Sequence, residues 1–232
     1  MEIKNLVFLI VLGAAFGLFG YTARRVLGYL KLGKPENRFD HFDRRIGNVL
    51  GIAFGQTKIL RDPVQGPIHA GIFWGFVILL LAVLESIGEG LIPGFSFSFL
   101  GPLYSVIALS TDLIAVVVLF AVLVALFRRH VSGPKRLREL DRPSQMDATF
   151  ILSAIALIMI SMFLQNATRI ALGEGAEFAG AWRPVSAAMA HWFSAGDGTH
   201  LLFEISWWVH IVLVLGFLNF LPYSKHFHVI TS

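Results

Sequence analysis

Five stretches of roughly twenty mostly apolar residues divide this chain, and each is long enough to cross about 30 Å of hydrocarbon as a helix. They run over about 6–30, 68–91, 103–127, 149–170 and 203–223. Only 15% of the residues are charged and 56% are apolar, against about 25% charged in an ordinary soluble domain. In lipid every backbone polar group must be satisfied within the chain, which leaves helices for segments of this kind. The expectation is an all-α, polytopic membrane protein: one domain over residues 1–232, built as a five-transmembrane-helix bundle. The first span is no cleaved signal peptide on this reading, because it lacks a small-residue cleavage site and runs into Arg24 and Arg25. The absence of cysteine excludes an iron–sulfur cluster held by these residues, and covalent c-type haem attachment with it.

Basic residues set the expected orientation. Nine lie between Tyr21 and Gly66, six follow the third span, and Lys225 follows the fifth, which makes sixteen on one side. The other side holds only Lys4, Arg169 and Arg183. Basic loops stay in the cytoplasm, so the N-terminus is expected outside and the C-terminus inside, in the inner (cytoplasmic) membrane. The net charge of +4 follows these loops rather than a nucleic-acid groove, so lipid is an expected partner and nucleic acid is not. In the first basic loop, Ile46, Val49, Leu50 and Phe54 recur at helical spacing beside Arg44, Arg45 and Lys58. That pattern describes an amphipathic helix lying on the membrane surface or against a partner. Gly13, Gly17 and Gly20 mark a close-packing face on the first span.

Ionisable groups inside spans are costly and usually mark a pathway or a ligand. His69 opens the second span, His210 lies in the outer half of the fifth, and His226 and His228 flank its inner end. Neutral imidazole is a common axial ligand of haem iron. A bis-histidine haem b between helices needs ligands at one depth on two spans, and His69 with His228 meets that demand. His228 would equally suit an interfacial position just outside the bilayer. On a continuous helix the 18 residues from His210 to His228 make five turns, which puts both on one face and His226 nearly opposite. Asp112, deep in the third span, and Glu85, near the outer end of the second, can take protons from quinol oxidation or bind a quinone hydroxyl; Glu85 also suits a plain interfacial position. Arg169 suits a quinone carbonyl or an interfacial anchor.

The run His210-Ile211-Val212 leading to Phe220-Leu221-Pro222-Tyr223-Ser224-Lys225-His226-Phe227-His228 resembles the closing helix of the nitrate reductase gamma-subunit superfamily of dihaem cytochromes b. The segment Gly55-Gln56-Thr57-Lys58-Ile59-Leu60-Arg61-Asp62-Pro63, followed by His69-Ala70-Gly71-Ile72-Phe73-Trp74-Gly75-Phe76, is similar to one branch of it. That branch is related to the membrane subunit of heterodisulfide reductase and fused to a cytosolic iron–sulfur oxidoreductase of the electron-transfer-flavoprotein:menaquinone type. The resemblance implies that His69 and His228 ligate the cytoplasm-side haem and that His210 ligates an outer one. It also implies menaquinone or another quinone as substrate, a cytoplasmic iron–sulfur protein or fused iron–sulfur domain as partner, and electron-transfer flavoprotein upstream. The chain departs from the pattern at Leu79, where the nitrate reductase subunits carry a second span-two histidine. Leucine cannot ligate iron. Three arrangements are then open for the outer half: a second haem on His210 with Met159, Met162 or His191, a five-coordinate haem, or a quinone held by His210 and Asp112.

The expected function is thus a haem b electron-transfer subunit, the quinone-reactive membrane part of an oxidoreductase in a respiratory chain, with one haem or two. A small proton-coupled transporter using Asp112 and Glu85 is the alternative from another class, and would expect inverted repeats or broken helices that the sequence does not display. A non-redox membrane anchor for a soluble enzyme would leave histidines at matching depths unexplained.

Overall fold

The structure is a computed structural model that describes residues 3–34, 36, 39–134, 141–174, 181–224 and 227–228. Among them are seven α-helices and no strands: α1 Ile3–Leu30, α2 Phe42–Asn48, α3 Gln65–Leu91, α4 Pro102–Phe127, α5 Arg142–Ala171, α6 Pro184–Ala190 and α7 Asp197–Phe220. Five of these, extended by short turns, are long and apolar enough to cross a membrane. The 27 residues of α3, for instance, rise about 40 Å.

The long helices run up and down around a ring in which α3 packs on α4, α4 on α5 and α5 on α7, while α1 closes the ring by lighter contact with α3 and α7. Helix α4 explains why the ring suits lipid. Its inward face combines small or polar residues, Ala108, Thr111, Asp112, Ala115 and Ala121, with Ile107, Val118 and Val122. Its outward face, with Leu113, Val116, Phe120, Leu123 and Phe127 at helical spacing, is large, apolar and exposed. A soluble helix reverses that arrangement. The small inward residues let backbones approach: a Cβ at Gly75 of α3 would fall 2.0 Å from Val118 Cγ2 of α4. By contrast, nothing lies within 4 Å of a Cβ placed at Gly13, Gly17 or Gly20, so the expected packing face of α1 is not used against the described residues.

The helix ends differ from the sequence reading in three places. Helix α5 starts at Arg142, seven residues early, because Asp141 caps it by accepting from the Ser144 N–H at 3.3 Å. Helix α7 begins at Asp197 instead of 203. The third difference corrects the phase argument for His228. Helix α7 stops at Phe220, a tight turn covers Leu221–Tyr223, and Ser224 is extended. Pro222 cannot donate to a continuing helix, so His210 and His228 do not share the face of one continuous helix. Beyond Pro222, Phe227 N–H donates to Ser224 O at 3.1 Å. Tyr223 is fixed to α1 through a 3.0 Å hydrogen bond between its hydroxyl and that of Thr22. His226 and Lys225 lie outside the described residues.

Helix α6, between the fourth and fifth spans, has no counterpart in the sequence reading. The surface helix of the first basic loop is present as α2, continued by a wider turn over Val49–Phe54. Ile46, Val49 and Leu50 stay exposed there, while the Phe54 ring meets Phe73 and Trp74 of α3, each at 6.2 Å between centroids.

Candidate functional site

His69 sits in the first turns of α3, and three local devices place it. Asp62 starts the helix by accepting from Val64 N–H at 2.9 Å and Gln65 N–H at 2.8 Å. Gly66 then allows the turn Ile59–Arg61 to lie directly on the helix, since a Cβ there would come within 2.6 Å of Ile59 O. That approach brings Gln56, in a left-handed conformation at φ 52°, to the imidazole. The Gln56 amide N–H donates to Ala53 O at 2.5 Å, so its Oε1 is the atom facing His69 Nδ1 at 2.9 Å. Nδ1 must therefore carry the proton, which leaves the Nε2 lone pair for another partner. Metal-ligating histidines are oriented in this way by a hydrogen bond from the second ring nitrogen.

The His228 ring lies beside that of His69: the two imidazole centroids are 6.1 Å apart, their planes are inclined at 41°, and His228 is exposed. Two metal–nitrogen bonds of about 2.0–2.1 Å in line, each continued by about 1.1 Å to the ring centre, would set the centroids about 6.3 Å apart. Both rings border a cavity of ≈ 260 Å³ whose apolar walls include Ile72 and Phe76 of α3 and Ile151 and Ile155 of α5. One cation, Arg129, also lines it. The donor set, the spacing and the apolar walls fit a flat, iron-centred macrocycle held by two neutral imidazoles. No group of three or more metal-ligating side chains occurs among the described residues.

His210 has different surroundings. It is buried between α5 and α7, and its Nδ1 lies 3.2 Å from Ile158 O and 3.1 Å from Ser161 Oγ. Its neighbours Trp207 and Ile211 are each 1% exposed. Leu79, Met159 and Met162 are buried together in an apolar cluster of α3, α4 and α5. His191, just after α6, is exposed.

The three other sequence candidates tie elements together at the opposite end of the bundle from His69. Asp112 is fully buried and caps α6: its carboxylate accepts from Val185 N–H at 2.7 Å, Ser186 N–H at 3.4 Å and the Ser186 hydroxyl at 2.5 Å. Glu85 accepts from Phe97 N–H at 2.9 Å and lies 3.8 Å from the Arg183 guanidinium. Tyr104 is beside both. Arg169 pairs with Glu89 and lies over the Phe203 ring, 5.0 Å from its centroid. Sequence reasoning missed Gln56, Arg129, Glu89 and Arg183 as partners. The first stood within the quoted Gly55–Pro63 segment, and the two arginines had been counted only as loop charge.

The fold and site define a helical bundle with five helices able to cross a membrane and a histidine pair facing a cavity at one end. Sequence comparison relates it to proteins named as oxidoreductases. The probable iron-sulfur-binding oxidoreductase FadF of Bacillus subtilis is 32% identical over 230 residues, covering 98% of this chain and 31% of that protein. The EtfAB:quinone oxidoreductase of Syntrophomonas wolfei is 26% identical over 224 residues, covering 93% of this chain and 30% of that protein. The chain thus spans about a third of the length of these relatives. No family model and no solved structure matches it.

Proposed function

We propose that this chain is the haem b-binding membrane part of an oxidoreductase, exchanging electrons between a quinone pool and an iron–sulfur partner. The observation that carries the reading is the His69–His228 pair, 6.1 Å apart across an apolar cavity, with Gln56 fixing the His69 tautomer. The relatives' names support the redox class: one is called iron-sulfur-binding and the other an EtfAB:quinone oxidoreductase. Because the chain has no cysteine, its cluster-bearing partner is a separate protein or a further domain, and electron-transfer flavoprotein is the donor we place upstream of it. From the excess of basic residues in its loops we place the His69 end in the cytoplasm and the protein in the inner membrane.

A bound haem supplies one-electron chemistry. The chain's own residues hold and insulate it. His69 and His228 offer two imidazole nitrogens from segments separated by 159 residues. Gln56 keeps one of them in the binding tautomer, and α3 and α5 supply apolar walls. Asp112, Glu85 and Arg169 are the groups we assign to quinone or its protons, near the opposite membrane face. His210 supports a second haem by one observation: its Nδ1 lies against a backbone carbonyl, the usual support of a ligating histidine.

The decisive experiment is the visible spectrum of the purified, dithionite-reduced protein together with pyridine haemochrome stoichiometry. A haem b α band that quinol reduces is expected, and a colourless preparation overturns the reading. Two haems per chain, falling to one in His210→Ala, assign His210 to iron. A value of one, unchanged in His210→Ala but with quinone turnover lost, assigns it to the quinone.

A further inference from the structure

Arg129 is one of two consecutive arginines in the wide turn Arg128–Ser132 that ends α4. The two are treated differently. Arg128 is engaged by the neighbouring span: with the Gln65 amide turned so that its oxygen faces the guanidinium, Nη2 and Nε donate to it at 3.0 and 3.3 Å. Arg129 turns to the cavity wall, where its Nη1 is buried and has no hydrogen-bond partner among the described residues. A wide turn of this kind shifts the register of successive side chains and recurs at functional sites. Without it, consecutive helical residues would point about 100° apart with nothing to select the inward one.

A buried guanidinium nitrogen with no acceptor is costly, and the cost is removed by an anion. Among the described residues the cavity wall provides none: its lining there consists of the two histidines, Arg129 and apolar side chains. An acidic ligand filling the cavity would supply the acceptor. A planar ligand held at its centre between His69 and His228 presents its edge to the wall, so its acidic groups must lie on that edge. We propose that Arg129 is the anchor for a carboxylate of this ligand, namely a propionate of the haem assigned to the His69–His228 pair. The assignment rests on that haem reading. It adds the residue that fixes the rotation of the macrocycle about the axis between the two histidines, something two axial ligands alone leave free. The planar fork of arginine suits a carboxylate in two-point contact.

The test compares wild type, Arg129→Gln and Arg129→Lys, each loaded with haem or with haem dimethyl ester, whose propionates carry no charge. Haem transfer to excess apomyoglobin and the midpoint potential are the readouts. Wild type should release the ester about tenfold or more faster than haem, the factor expected for one lost charge-assisted hydrogen bond. Arg129→Gln should release both at the faster rate, with an α band at the wild-type position because the axial ligands remain. Its midpoint potential should fall, since a positive charge near the iron favours the reduced state. Arg129→Lys should lie between the two. The ester arm needs no variant, so a misfolded Arg129→Gln does not remove the test. Wild type that holds ester and haem equally overturns the assignment while leaving the haem reading intact. So does an Arg129→Gln protein with unchanged release and potential. A colourless wild type overturns the haem reading and this assignment with it.

Discussion

At the end of the bundle that carries Glu85, Glu89 and Asp112, each carboxylate meets a donor from another element: Phe97 and Arg183, Arg169, and the start of α6. At the end that carries His69 and His228, two imidazoles border a cavity and Arg129 has a buried nitrogen without an acceptor among the described residues. The three carboxylates find partners within the chain, although Asn5 Oδ1, Gln165 Oε1 and Asn166 Nδ2 near them are buried without one among the described residues. At the other end a cavity adjoins the unsatisfied Arg129 nitrogen. Buried polar groups are satisfied almost everywhere in native proteins, so an unsatisfied one beside a cavity speaks for binding. Costly residues in a membrane span are thus not all alike. Asp112 and His69 raise the same suspicion in sequence, and their partners separate them.

The most severe break in this comparison is at the histidines. His69→Ala and His228→Ala should each abolish the same low-spin haem signal in the reduced-minus-oxidised spectrum, whereas His226→Ala should keep it. Loss of the signal in His226→Ala, with retention in His228→Ala, would move the ligand by two residues.

The next test addresses the carboxylate end. Asp112→Ala should lower unfolding stability in detergent by about 3 kcal/mol, because it strands the N–H groups of Val185 and Ser186 at the buried start of α6. Asp112→Asn keeps an acceptor and should lose less. Loss of quinone turnover in Asp112→Asn at an unchanged melting temperature supports the quinone role proposed for Asp112, whereas full turnover leaves it a structural cap alone.

Gln56→Leu sharpens the other side. It should fold, keep both imidazoles and weaken haem retention about 10- to 100-fold, the usual effect of removing a partner that orients a metal-bound histidine. Unchanged retention would mean that the His69 tautomer is held by something other than Gln56.

The smallest effect is expected at the surface. Arg44 and Arg45 lie on the exposed α2, where Arg45 makes only an exposed pair with Asp40, at 2.5 Å. Reversing both charges should slow electron delivery from the iron–sulfur partner a few-fold at low salt and leave the haem spectrum unchanged. A partner covalently tethered to the chain would mute even this, because tethering raises its effective concentration. Equal turnover at low and high salt would remove α2 from the docking face.

The spans were readable because the requirement that makes them is local. A run of apolar residues is long enough for the membrane or it is not, and all five met that test in the structure. The pairing of His69 with His228 was readable for a related reason, since depth in a membrane is set by position along a span. A shared face for His210 and His228 was not readable, because it needs five unbroken turns, whereas Pro222 ends the helix in a turn over Leu221–Tyr223 whose Tyr223 hydroxyl is bonded to Thr22. Helix α6 escaped notice because its seven residues have no periodicity of their own, and its first N–H groups are satisfied by Asp112, more than seventy residues away.

By itself, then, the sequence determined the number of spans, the balance of basic residues between the two ends and the histidines worth testing. All of these follow from composition within a window or from counting along the chain. Only the tertiary structure decided which charged groups are spent on each other. Arg183 and Arg129 are both arginines beside apolar runs, and no local pattern tells them apart. Arg183 becomes a structural partner because the loop carrying it folds onto Glu85. Arg129 faces a cavity because the end of α4 turns it there, against walls supplied by α3 and α5. Hydropathy is a property of a segment, whereas the satisfaction of a buried charge is a property of whatever segment lies opposite.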